Sequence, residues 1–124
     1  MGGRASRDKG NRMERAIVNA LQKAGFAAER IPLSGASGGS FAGDITVPVM
    51  GRNWTIEAKA RSHGFAQIYE WLGDNDALIV KADRKEPLVV LSLRQATELL
   101  KRAELHRSNA QILAETMRLK AEVS

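Results

Sequence analysis

Apolar residues recur at three- and four-residue steps early in the chain, with Met13, Ile17, Ala20, Leu21 and Ala24 forming one stripe. That period predicts an amphipathic helix over residues 11–24. Gly25 stands just past its end, where helices commonly stop. Residues 26–33 then read as a short strand. Residues 34–43, SGASGGSFAG, form a Gly- and Ser-rich loop of the kind that lets backbone approach a ligand. Over residues 44–49 the period drops to two. Ile45, Val47 and Val49 face one way, Asp44 and Thr46 the other. Pro48 puts this strand at an edge or interrupts it. Gly51-Arg52-Asn53 supplies turn chemistry. Residues 54–61 alternate again, with Trp54, Ile56, Ala58 and Ala60 against Thr55, Glu57, Lys59 and Arg61.

The second half is read in the same way. A short helix is expected over residues 65–72, ended by Gly73, with Phe65, Ile68, Tyr69 and Leu72 on its core face and Trp71 off it. Residues 77–81 and 88–91 read as strands joined by a polar turn. Ser92 is placed to cap a helix running through Gln95 to residue 103. Ser108 and Gln111 have capping-box spacing for a last helix over residues 109–121. Leu105, Ile112 and Leu119 lie seven residues apart, and three apolar positions are too few to predict a coiled coil. This tail packs on the domain, pairs with a partner subunit, or frays. The order of elements predicts an α/β (α+β) fold, a central mixed five-stranded sheet flanked by helices. One domain is expected over residues 1–104, with a flexible basic arm (1–10) before it and a helical tail (105–124) after it.

Composition narrows the chemistry. The chain of 124 residues has no cysteine, so disulfides and thiolate metal sites are excluded. His63 and His106 are the two histidines, too few for a histidine-built zinc site. Any metal must then sit on oxygen, which suits magnesium or manganese. No apolar run approaches the roughly 20 residues of a membrane span, and no apolar stretch follows the basic N-terminus as in a secretory signal. An intracellular protein is expected. Lys plus Arg number 19 against 14 acids, for a net charge of +5. An anionic partner is favoured, nucleic acid first.

Candidate chemistry centres on residues 57–59. Residues two apart on a strand share a face, so Glu57 and Lys59 project together. Asp44 lies on the polar face of the preceding strand. If the hairpin tip is Met50-Gly51, Asp44 falls opposite Glu57; if it is Gly51-Arg52, Asp44 falls opposite Lys59. Either register gathers two carboxylates and an ammonium on one face. Two such carboxylates repel unless a cation lies between them, and a hard divalent ion meets that need. Glu14 borders the apolar stripe of the first helix, near Ile17, Val18 and Leu21. A carboxylate there must bind metal or pair with a nearby arginine.

Taken together these residues resemble the PD-(D/E)XK nuclease superfamily: a helix glutamate, a Gly-rich loop, Asp44, then Glu57-Ala58-Lys59 thirteen residues on. Arg7-Asp8-Lys9-Gly10, Glu14-Arg15, Gly25-Phe26 and Arg30-Ile31-Pro32-Leu33-Ser34-Gly35 sharpen the likeness to the archaeal-type Holliday junction resolvases. The resemblance covers residues 4–104. It departs at Gly43, where the family has proline, a residue without a chemical role.

The resemblance implies a restriction-endonuclease-like core and a Mg2+-dependent, structure-selective endodeoxyribonuclease, with Mn2+ able to substitute. Asp44 and Glu57 would hold the ion, with the Ala58 carbonyl a further ligand and Glu14 completing the cluster directly or through water. Lys59 would orient the attacking water, stabilise the phosphorane-like transition state, or act as a base. Ser34 would lie beside the scissile phosphate. The products would be a 5′-phosphate and a 3′-hydroxyl. Arg4, Arg7, Lys9, Arg12, Arg30 and Arg61 would follow phosphate backbones, and Gln67 would reach a phosphate or a water. No base-reading helix is evident, so branched double-stranded DNA would be read by shape. Two symmetric cuts imply a homodimer, for which Trp71 and the last helix offer apolar surface. The alternatives are another repair or restriction-type nuclease of the superfamily and a non-catalytic DNA-binding module of the same fold.

Overall fold

The computed structural model describes residues 2–32 and 44–123. The expected loop over residues 34–43, with Ser34 and Gly43, lies outside the described residues, as does Leu33 at the end of the first expected strand. Helix α1 runs Gly2–Lys23, so most of the expected basic arm is helical. Residues 4–9 are all compatible with a helix, and Gly10 alone costs about 1 kcal/mol, too little to stop it. The other end of α1 closes as a Schellman motif. The Gly25 N–H donates to the Gln22 carbonyl (3.0 Å) and the Phe26 N–H to the Leu21 carbonyl (3.0 Å). Gly25 takes φ +97°, a left-handed conformation that glycine adopts without strain. Leu21 and Phe26, at the two ends of the longer bond, are both buried.

Three strands follow. β1 is Glu29–Arg30, β2 is Ile45–Val49 and β3 is Arg52–Ile56, paired antiparallel in the order β1-β2-β3. The alternation of β2 is borne out: Ile45, Val47 and Val49 are buried, and they pack with Val18 and Leu21 of α1 and with Phe26 and Ala28. Fully burying each such aliphatic side chain is worth about 2 kcal/mol. β1 is shorter than the expected 26–33, because Phe26 belongs to the helix cap and only Glu29 and Arg30 meet β2. Its ladder reaches Thr46 and goes no further. Among the described residues Pro48 therefore has a strand partner, Asn53, on the β3 side only. The proline thus lies where β2 has become an edge, in agreement with its missing N–H.

The hairpin register pairs Val49 with Arg52 and Ile45 with Ile56. Met50 and Gly51 form the two-residue tip, with φ +52° and +79°. Positive φ at both positions is the turn that matches strand twist. β3 stops at Ile56, not at residue 61 as the alternation predicts. The reason is local. The Asp44 N–H donates to the Ile56 carbonyl (2.7 Å), and the Ala58 N–H turns to the Asp44 Oδ2 (2.9 Å). A side chain thus takes the donor that a ladder would need. Trp54 lies at the sheet margin under the Arg52 guanidinium, 5.5 Å from its ring centroid.

Beyond β3, helix α2 (Ala66–Leu72) ends at Gly73, as expected. Tyr69 is exposed, not part of a core face; Phe65, Ile68 and Leu72 are half-buried. The tyrosine hydroxyl favours the wet side of so short a helix. β4 (Leu78–Val80) and β5 (Leu88–Val90) pair antiparallel as a separate two-stranded sheet. The expected mixed five-stranded sheet is thus replaced by sheets of three and two strands, and every described pairing is antiparallel. Alternation predicts that a segment is a strand but carries no information about which edge it joins.

Helix α3 runs unbroken over Leu93–Val123, so the break expected at residues 104–108 is absent. Ser92 caps it, its Oγ accepting the Gln95 N–H (3.1 Å). Ser108 lies in its interior. Residues 101–107 hold neither glycine nor proline, and a Ser-x-x-Gln sequence tolerated inside a helix mimics a start signal. Glu104 of α3 accepts the Met50 N–H, and Arg107 lies against the hairpin tip. A Cβ on Gly51 would stand 2.8 Å from the Arg107 Nη2, a flexible side-chain end that can move aside, so the tip needs glycine for its φ of +79° and not for space. Among the described residues no helix is long and apolar enough to cross a membrane.

Candidate active site

The end of the β2–β3 hairpin meets the middle of α1. There Asp44, Glu57, Ala58, Lys59, Ala60, Arg61 and Ser62 on one side, and Lys9, Gly10 and Glu14 on the other, line an open cavity of about 530 Å³. Period two persists through residues 56–61 after the ladder ends: Ile56, Ala58 and Ala60 are half-buried and Glu57, Lys59 and Arg61 exposed. Glu57 and Lys59 share a face, as expected, and form an ion pair of 3.0 Å. The Met50-Gly51 tip selects the register in which Asp44 is level with Glu57. Both Asp44 and Ile45 reach Ile56, a two-against-one arrangement like a β-bulge, which re-aims the aspartate. Asp44 then accepts the Ala58 N–H, which ties the start of residues 58–62 to the sheet.

Glu14 reaches the cavity from α1 with its side chain only 18% exposed. Its Oε1 accepts from the Arg30 Nε at 3.2 Å and lies at ion-pair distance, 3.2 Å, from the Nη2, which donates to the Asn11 Oδ1 at 2.8 Å. Arginine, one of the two expected partners of Glu14, is thus beside it. Lys9 bridges the cavity mouth, its Nζ donating to the Ser62 Oγ (2.8 Å).

Of the expected site residues, Glu14, Asp44, Glu57, Ala58, Lys59, Lys9 and Arg61 therefore line one cavity. Arg30 stands behind it as the partner of Glu14. Arg4, Arg7 and Arg12 are exposed along α1, and Gln67 is exposed on α2, away from the cavity lining. Ser34 lies outside the described residues. Asn11, Gly10 and Ser62 are additions. The i,i+3 spacing of Asn11 and Glu14 already falls within the expected helix, and the i,i+4 spacing of Gly10 and Glu14 would have shown Gly10 had that helix been extended through residue 9.

The donor set tests what the cavity can hold. Among the described residues no group of three or more Asp, Glu or His side chains is gathered for one ion. Asp44 keeps Oδ1 and Glu57 keeps Oε2 without a partner among those residues. Two carboxylates with neighbouring backbone carbonyls fit a hard cation that retains several waters, the usual habit of magnesium. They do not fit a dehydrated all-protein cage. The cations Lys9, Lys59 and Arg61 around them suit a substrate of repeated negative charge.

The family model described as archaeal Holliday junction resolvase (hjc) matches residues 5–122. The match continues through the tail, past the residues 4–104 that carry the likeness in the sequence. No curated protein and no solved structure gives a significant match.

Proposed function

This chain belongs to the archaeal Holliday junction resolvase family, and from that premise we propose a divalent-cation-dependent endonuclease that resolves four-way DNA junctions by paired phosphodiester hydrolysis. The observation that carries the mechanism is the single cavity shared by Asp44, Glu57, Ala58 and Lys59, with Glu14 across from them. Asp44 and Glu57 hold the ion, Mg2+ with Mn2+ as a substitute, assisted by the Ala58 carbonyl and, through water, by Glu14. When bound, such an ion lowers the pKa of water and offsets charge growing on the phosphate.

The rest is the work of side chains. Lys59, paired with Glu57 at 3.0 Å, is held where its ammonium can orient a water or donate to a non-bridging phosphate oxygen. Lys9 and Arg61 take the flanking phosphates at the cavity wall. Arg30 fixes the rotamer of Glu14. Arg4, Arg7 and Arg12 extend the positive track along α1, Gln67 meets a phosphate or water from α2, and Ser34 lies beside the scissile phosphate. Cleavage leaves a 5′-phosphate and a 3′-hydroxyl. Two cuts in a twofold junction call for two copies of the chain.

The test uses the purified chain with Mg2+, Mn2+ or EDTA and three substrates: a synthetic four-way junction, a plain duplex and a single strand. Paired, metal-dependent cuts in the junction alone are expected. Equal cutting of all three would make the protein a general nuclease. Binding without cleavage under every metal would make it a DNA-binding module of the same fold.

A further inference from the structure

The inward face of α1 changes character along its length. Leu21 and Val18 are buried in the core, and Ile17 packs against it. Glu14, nearly a turn further on, lines the cavity instead. Four residues before Glu14, and so on the same face, stands Gly10. It is half-buried and lines the same cavity.

Nothing in the backbone or the packing explains a glycine at this position. Gly25 and Gly51 take positive φ, but Gly10 does not. It lies inside a helix, where glycine is among the poorest residues and alanine the best. Nor is it crowded. Among the described residues, a Cβ at Gly10 would meet nothing within 4 Å. The fold would therefore accept a side chain here, and the helix would gain from one. What glycine supplies is the space itself, and on this face the space belongs to the cavity.

We propose that Gly10 is a seat for the sugar–phosphate backbone of the DNA substrate. Bare helix backbone lets one strand rest against α1 at the depth where its phosphate meets Asp44 and Glu57. Glycine commonly serves where backbone and ligand approach closely. Two features of the cavity fit that use. First, Lys9, Lys59 and Arg61 surround it with positive charge that draws the phosphate in, while Gly10 adds a surface without charge or bulk, suited to a deoxyribose. Second, the mouth is narrow beside Gly10. The side chain of Lys9 alone spans it, its Nζ reaching the Ser62 Oγ at 2.8 Å. A side chain at residue 10 would take up part of that width and hold the strand away from the carboxylates. A displacement of about 1 Å can cost on the order of a hundredfold in rate. The inference rests on the junction-cutting reading and adds to it a residue that sets how deeply the strand enters.

The test sets stability against function, which a structural glycine would lose together. Gly10→Ala should raise the melting temperature of the full chain by about 4 °C, and Gly10→Leu should raise it as well. Affinity for a synthetic four-way junction, read by gel shift in Ca2+, should fall about threefold for alanine and tenfold or more for leucine. Cleavage in Mg2+ should fall about tenfold and about a hundredfold. Asn19→Leu, on the exposed side of α1, should keep wild-type binding and cleavage. A Gly10→Leu chain that binds and cuts as the wild type does would overturn the seat. So would a fall in melting temperature that parallels the loss of binding in both variants. If the wild type binds junctions without cutting them, the nuclease reading fails while the graded loss of affinity still upholds the seat. If it binds no junction, both fail.

Discussion

Two carboxylates that line the same cavity, Glu14 and Glu57, are each paired with a cation, and the two pairs are held in different ways. Glu14 is mostly buried and meets Arg30 through two nitrogens, with Asn11 holding the same guanidinium. Glu57 and Lys59 are both about half exposed and meet through a single contact. The first pair is part of the packing between α1 and β1. A buried carboxylate deprived of its cation is left with an uncompensated charge. The second pair contributes little to stability, since exposed ion pairs are commonly worth less than about 1 kcal/mol. A loosely held carboxylate can exchange its partner for a cation or a water at small cost. The contrast separates a firmly held Glu14–Arg30 pair from a loosely held Glu57–Lys59 pair, and the proposed chemistry falls on the loose pair and Asp44.

The largest expected effect tests the chemical side. Asp44→Asn and Glu57→Gln should each lower junction cleavage by about a thousandfold or more, the scale of losing a preorganised transition-state contact. Gel-shift affinity for the junction in Ca2+ should change little. Cleavage within tenfold of wild type would remove that residue from the mechanism. Next, Lys59→Ala should lower cleavage by about a hundredfold, while urea unfolding shifts by no more than about 0.5 kcal/mol. A loss of stability comparable to that of the buried pair would erase the distinction drawn here.

Arg30→Ala breaks the firmly held pair. It should cost about 2 kcal/mol in urea unfolding, the worth of a hydrogen bond to a charged group left unmade. Unchanged stability would show that Glu14 finds another partner. The smallest effect is expected at the rim. Lys9→Ala and Arg61→Ala should each reduce the salt dependence of junction binding by about one phosphate contact. An unaltered slope in both would place the DNA elsewhere.

What the sequence discloses follows the range of the interactions involved. The stop of α1 at Gly25, the buried face of β2 and the shared face of Glu57 and Lys59 all follow from local period and turn chemistry. The structure repeats them. The early end of β3 does not, because it depends on the Asp44 carboxylate taking the Ala58 N–H across 14 residues. The fate of Glu14 was visible only as a choice, since its partner Arg30 is 16 residues away. The helix over residues 2–10 was obscured by Gly2, Gly3 and Gly10, whose poor propensity outweighs their neighbours in a short window. In α3 the opposite error arises. Ser108 and Gln111 imitate a helix start within a helix that nothing interrupts. The edge joined by β4 and β5 is a tertiary property with no local signature at all.

Pro48 has a consequence for the protein's behaviour at high concentration. With β1 pairing no further along β2 than Thr46, the far half of β2 has no strand partner on that side among the described residues. A strand from a neighbouring molecule would normally be recruited there, the first step toward intermolecular fibres. The pyrrolidine ring withholds the donor that such a visitor would need at that position, which makes this margin a poorer template for an incoming strand.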